Sequence, residues 1–129
     1  MPLTMSAFEE PGRRVLVLEG ELDVAGADRF EAAAEQLCDM GAGELIVDIS
    51  DVSFIDSVGV RAVLAVKARC TARACEFSMT HASGQAGHVF ELTRLLDHLP
   101  FRARRPERFR REIELGPDAA THLGESAGG

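Results

Sequence analysis

Leu45-Ile46-Val47-Asp48-Ile49 is a run of four β-formers and one acid, the composition of a strand inside a sheet. It leads through Ser50-Asp51-Val52-Ser53, read as a short polar turn, to Asp56-Ser57 and then to apolar residues at helical spacing. Asp and Ser are strong helix N-cap types, because their side-chain oxygens accept from first-turn N–H groups. A strand, a turn and a capped helix in that order commit the chain to an α/β arrangement. They also offer a serine hydroxyl to solvent at a helix N-terminus.

The flanking segments extend the same pattern. Residues 3–9 are weakly strand-like, Pro11-Gly12 is a turn signal, and Arg13 to Gly20 is a better strand, so the sheet begins with an antiparallel pair. Asp23 is placed to cap a helix from Val24 to Met40, with Ala27, Phe30, Ala34 and Leu37 on one face and Gly41 and Gly43 closing it. The helix after Asp56 runs to about Thr71, with Ser57, Val58, Arg61, Ala62, Ala65 and Arg69 on one side, small residues beside two arginines. Glu76 to Thr80 alternates as a strand, 82–86 reads as a loop, and Val89, Phe90, Thr93 and Leu96 make a helical face ending near Pro100. Pro106, Phe109 and Ile113 suggest a short terminal helix. The expectation is a single α/β domain over 3–115, with a mixed sheet of four to five strands: an antiparallel hairpin, then parallel strands joined by helical crossovers. About four helices flank it, and 116–129 is expected as a disordered tail.

Composition enters mainly by exclusion. No run of 18 apolar residues and no secretion signal occur, so no membrane insertion and a cytoplasmic location are expected. Net charge is −7, although Arg102–Arg111 holds six arginines and one glutamate, so the remainder is more acidic still. An acidic body argues against direct nucleic-acid binding, and the arginine run reads as a solvated helix face. Cys38, Cys70 and Cys75 are odd in number without C-x-x-C spacing, and His81, His88, His98 and His122 are scattered. The reading is buried thiols, no metal and no cofactor.

No P-loop, dinucleotide fingerprint or G-x-S-x-G elbow surrounds Ser57, so no catalysis is expected. Ser57 is either a cap or a modified residue. A phosphate there adds about −1.5 to −2 charges beside the positive end of a helix, which the domain itself should tolerate.

Three blocks carry a resemblance. Gly20-Glu21-Leu22-Asp23, then Asp48-x-Ser50 with Val52-x-Phe54-Ile55-Asp56-Ser57-Val58-Gly59-Val60, then Val89-Phe90-Glu91-Leu92-Thr93-x-Leu95 resemble the STAS domain of anti-sigma factor antagonists, over about residues 4–115. The resemblance implies a non-catalytic, partner-switching regulator of bacterial transcription. Its partner would be an anti-sigma factor that is a serine kinase with a histidine-kinase-like ATPase fold, which phosphorylates the residue matching Ser57. A PP2C-type phosphatase would reset the switch. The resemblance places Asp23, Asp56, Ser57, Val58, Arg61 and Ala65 at the partner-binding surface, with Asp56 shaping the turn. The chain departs from the family pattern at Val58, usually Ser or Thr, at Arg61, usually small, and at Arg94, usually glycine. Those departures keep a second reading open: a STAS scaffold with an unmodified serine, in a stress-sensing or lipid-transport assembly. A small enzyme using the Ser57 hydroxyl is the third.

Overall fold

The computed structural model describes residues 1–41, 43–97, 99–102 and 111–119. Strands β1 (Thr4–Glu10) and β2 (Arg13–Leu22) pair antiparallel across the Pro11-Gly12 turn, with Glu10 opposite Arg13. Three strand–helix units follow: α1 (Val24–Asp39) and β3 (Gly43–Ile55), α2 (Ser57–Ala72) and β4 (Cys75–Thr80), then α3 (Gly84–Asp97) and β5 (Phe101–Arg102). A last strand, β6 (Arg111–Ile113), returns to pair antiparallel with β1. The sheet order is β5-β4-β3-β2-β1-β6, and β2, β3, β4 and β5 run parallel.

The core lies between the sheet and the first two helices. Leu16, Leu18 and Leu22 of β2, Leu45, Val47 and Ile49 of β3, and Met79 of β4 meet Phe30, Ala34 and Leu37 of α1 and Val63 and Val66 of α2. Fully burying one such side chain contributes about 1.5–3 kcal/mol. Arg69 near the end of α2 lies 3.4 Å from both Glu31 and Glu35 of α1, and Arg73 pairs with Glu35 and Asp39. These ion pairs lace the outer edges of the two helices together. No helix among the described residues is long and apolar enough to cross a membrane.

The α/β architecture agrees with the sequence reading, and four details differ. First, β3 continues to Ile55, so the supposed polar turn is strand: Val52 and Ile55 point inward while Asp51, Ser53 and Phe54 face out. Register shifts against β2 between Val17 and Glu19 and between Gly20 and Glu21 interrupt the alternation, which hid the strand. Second, α3 begins at Gly84, inside the expected loop.

Third, the sheet has six strands and the described residues hold three helices, against an expected four to five strands and about four helices. Ile113 sits opposite Ala7 in β6, and Arg111 pairs with Glu9 at 2.9 Å. Covering the open edge of β1 outweighs a weak helical signal there; Phe109 lies outside the described residues. Fourth, the described part of the expected tail, residues 116–119, packs against α1. Gln36 of α1 donates to the Glu114 carbonyl at 2.9 Å and accepts from the Gly116 N–H at 2.7 Å, and Ala119 is buried.

Candidate functional site

Leu22 and Ile55 are register partners at the ends of the parallel strands β2 and β3. Each is followed by an aspartate that caps the next helix. Asp23 Oδ1 accepts from the Ala25 N–H at 3.1 Å, and Asp56 Oδ1 accepts from the Gly59 N–H at 3.0 Å. Parallel neighbours lie about 4.8 Å apart, so the register sets the positive ends of α1 and α2 side by side. The carboxyl edge of a parallel sheet is where α/β domains place their sites.

Ser57 is the first helical residue of α2, and its side chain is exposed. Because Asp56 does the capping, the serine hydroxyl is released from that job, and it has no hydrogen-bond partner among the described residues. The capping role offered to Ser57 thus falls to Asp56. Asp56 also accepts from the Val60 N–H through its carbonyl, at 3.0 Å. The first N–H groups of a helix lack intrahelical acceptors, so the tip of α2 is where an anion is best accommodated.

Gly59, quoted above only within a motif, and Gln85, placed in a loop by the sequence reading, build this corner. Gly59 lets α2 approach β2: a Cβ there would lie 2.2 Å from the Leu22 carbonyl oxygen and 2.7 Å from Ile55 Cγ1. Gln85, in the first turn of α3, pairs its side-chain amide with the Ile55 backbone as a strand would. Its Oε1 accepts from the Ile55 N–H at 3.0 Å, and its Nε2 donates to the Ile55 carbonyl at 2.9 Å. The last register pair between β3 and β4 is Val47 with Met79, so Gln85 replaces a neighbour strand that has already diverged. Gln85→Ala strips both bonds from a part-buried peptide, at about 1–3 kcal/mol for each group left unpaired. The expected result is a lower urea midpoint with the same slope, and an unchanged midpoint would remove Gln85 from this role.

Phe54, Asp56, Ser57, Arg61, Gln85 and Val89 line a hollow of about 600 Å³ beside the serine. Phe54 at its rim is 39 % exposed, and Val24, next to Asp23, is 71 % exposed. Arg61 lies one helical turn beyond Ser57, on the same face, and makes no ion pair among the described residues. Ala65, half-buried, continues that face by another turn. Val58 is also half-buried, but it leans on the core. Ala62 and Arg69, grouped with Ser57 by sequence spacing, belong elsewhere: Ala62 is buried and Arg69 is held by α1. The buried stripe of α2 is Gly59, Ala62, Val63, Val66 and Cys70.

The Asp48-x-Ser50 block is internal. Asp48 is fully buried, and its Oδ1 accepts from the Ser50 N–H, the Ser50 hydroxyl and the Thr80 hydroxyl at 2.5–3.0 Å. Thr80 Oγ1 in turn accepts from the Ile49 N–H at 2.9 Å. This network ties β3 to β4 beneath the site rather than contributing to its surface. The cysteines converge at the opposite end of α1 and α2.

Comparison with known proteins agrees with this geometry. The family model described as "Mlab, STAS domain" matches residues 6–100. A Bordetella bronchiseptica protein named as an anti-sigma factor antagonist, BtrV, is 27 % identical over 100 residues, 78 % of this chain and 84 % of its own length. A crystal structure of an anti-sigma factor antagonist from Mycobacterium paratuberculosis is 26 % identical with a TM-score of 0.67, over 78 % of this chain and 85 % of that one. The antagonist SpoIIAA, in its unphosphorylated form, shares the fold at 21 % identity and a TM-score of 0.60, over 81 % and 90 % of the two chains.

Proposed function

Because the chain belongs to the STAS domain family, we propose that it is an anti-sigma factor antagonist whose binding is switched off by phosphorylation of Ser57. The observation that carries the reading is the exposed Ser57 hydroxyl, left without a hydrogen bond because Asp56 caps the helix. The names of the relatives from Bordetella and Mycobacterium support the same reading. The docking surface comprises Asp23, Asp56, Ser57, Val58, Arg61 and Ala65, and the partner is an anti-sigma factor acting as a serine kinase.

The switch follows from simple electrostatics. The Ser57 oxygen attacks the γ-phosphorus of ATP held by the partner, the bond to ADP breaks, and the hydroxyl proton passes to a base on the partner. The new phosphate sits at the tip of α2, where the positive end of the helix and Arg61 favour it. An acid on the partner that paired with Arg61 then meets a rival anion. Two unit charges ~7 Å apart at an effective dielectric of ~20 repel by roughly 2 kcal/mol, and a near-dianion roughly doubles that. The domain keeps its fold while the complex is lost, and a PP2C-type phosphatase restores it.

The scaffold reading, with Ser57 never modified, draws on Val58 standing where the family usually has a second hydroxyl. Gel filtration of the chain with a kinase-type anti-sigma factor from its host tests the proposal. A complex should form with ADP and dissolve after ATP turnover; a complex that survives ATP turnover would favour the scaffold.

A further inference from the structure

Three thiols far apart in sequence meet in space. Cys38 lies in the last turn of α1, Cys70 in the last turns of α2, and Cys75 opens β4. Their sulfurs all lie within 4.8 Å of one another, with Cys38 and Cys70 3.5 Å apart. All three are free thiols, and none is more than 5 % exposed. Neutral thiols pack well as small apolar groups, and these three belong to the buried core, with two arginines at its edge.

Arg14 of β2 reaches over the end of α1, donating to the Met40 and Gly41 carbonyls at 3.0 Å each. Its Nε is buried with no hydrogen-bond partner, and the guanidinium meets no carboxylate among the described residues. A buried N–H donor left without a partner is costly.

We propose that Cys38, Cys70 and Cys75 form a three-coordinate thiolate site for a soft, thiophilic cation of the Cu(I) type. Three sulfurs each ~2.3 Å from a common ion lie about 4 Å apart, inside the span observed. Thiolates select soft ions, and no imidazole or carboxylate among the described residues joins the cluster to supply a harder or fourth ligand. A buried pocket with three ligands therefore suits Cu(I) better than zinc, which takes four. The hydrogen bond from Cys70 lowers the pKa of the Cys38 thiol. The hydrogen bond to Cys38 pushes Cys70 up, and burial pushes Cys75 up. Binding replaces S–H bonds by S–Cu bonds and releases the protons to solvent; no electrons move.

Such an ion would staple α1, α2 and β4 at the end remote from Ser57, since α2 is 16 residues long, or about 24 Å. It would stabilise the folded chain without touching the docking surface. The sequence reading expected no metal because the numbering 38, 70, 75 holds no ligand spacing.

The test uses the full chain, reduced and oxygen-free, with Cu(I) supplied as its bathocuproine disulfonate complex. The chain should withdraw one Cu(I), seen as loss of the chelator's colour and as one added copper in the native mass spectrum. Cys38→Ala and Cys75→Ala, checked for native circular dichroism, should each bind more than about tenfold more weakly. If the folded wild-type chain leaves Cu(I) with the chelator, or if both folded variants withdraw it as well as wild type, the site does not exist.

Discussion

Ser57→Glu is expected to weaken the complex with a kinase-type anti-sigma factor by about thirtyfold, while Ser57→Ala leaves it within a few-fold. The ratio follows from roughly 2 kcal/mol of repulsion for one added charge ~7 Å from a partner acid. Phosphate, with nearly twice the charge, should reach about a thousandfold. The two variants separate charge from the loss of the hydroxyl. The Ser57 side chain is exposed and makes no hydrogen bond among the described residues, so neither change should disturb the fold by more than about 0.5 kcal/mol. Isothermal titration calorimetry of the two variants with the partner reads both numbers. Equal affinity for the glutamate and alanine variants would mean that charge at this position does not govern docking.

Gly59→Ala should be the most damaging single methyl in the described chain. The new Cβ would fall 2.2 Å from the Leu22 carbonyl oxygen, which is backbone and has little freedom to retreat. Overpacking of this kind costs about 1–3 kcal/mol and at times more, a large part of the 5–15 kcal/mol by which domains are stable. The strain has one way out: the start of α2 must lift from β2, carrying Asp56, Ser57 and Arg61 away from Asp23. Gly59→Ala should therefore lower the urea midpoint by the equivalent of about 3 kcal/mol and also weaken partner binding. A wild-type midpoint would show that α2 does not depend on this close approach.

Most of the fold was legible because strand and helix signals here are local. The β3 run, the two aspartate caps and the Phe30 face of α1 are patterns that neighbours in sequence determine. What escaped was set by contacts across the chain. Gly59 is legible in sequence only as the glycine of a motif block; its physical reason is the Leu22 carbonyl, 37 positions earlier. Gln85 stood in an apparent loop, and only the divergence of β4 from β3 gives its amide a strand's work. β6 was invisible because a three-residue strand carries almost no periodicity, and the unpaired edge of β1 is what recruits it. The spacing of Ser57, Ala62 and Arg69 suggested one face, yet Ala62 is buried and Arg69 pairs with α1. Asp56 and Ser57 looked equally able to cap, and the hydrogen bond to the Gly59 N–H decided between them.

The central claim is that Ser57 is the residue a kinase partner phosphorylates. Trypsin releases it within the peptide from Phe30 to Arg61, which also carries Ser50 and Ser53. Those two hydroxyls are engaged, by Asp48 at 2.5 Å and by the Gly20 carbonyl at 3.2 Å, whereas that of Ser57 is not. Fragmentation mass spectrometry of this peptide, after incubation of the chain with the host's kinase-type anti-sigma factor and ATP, gives the direct answer. One added phosphate is expected on the fragment ions that contain Ser57. A peptide without phosphate, or with phosphate on Ser50 or Ser53, would contradict it.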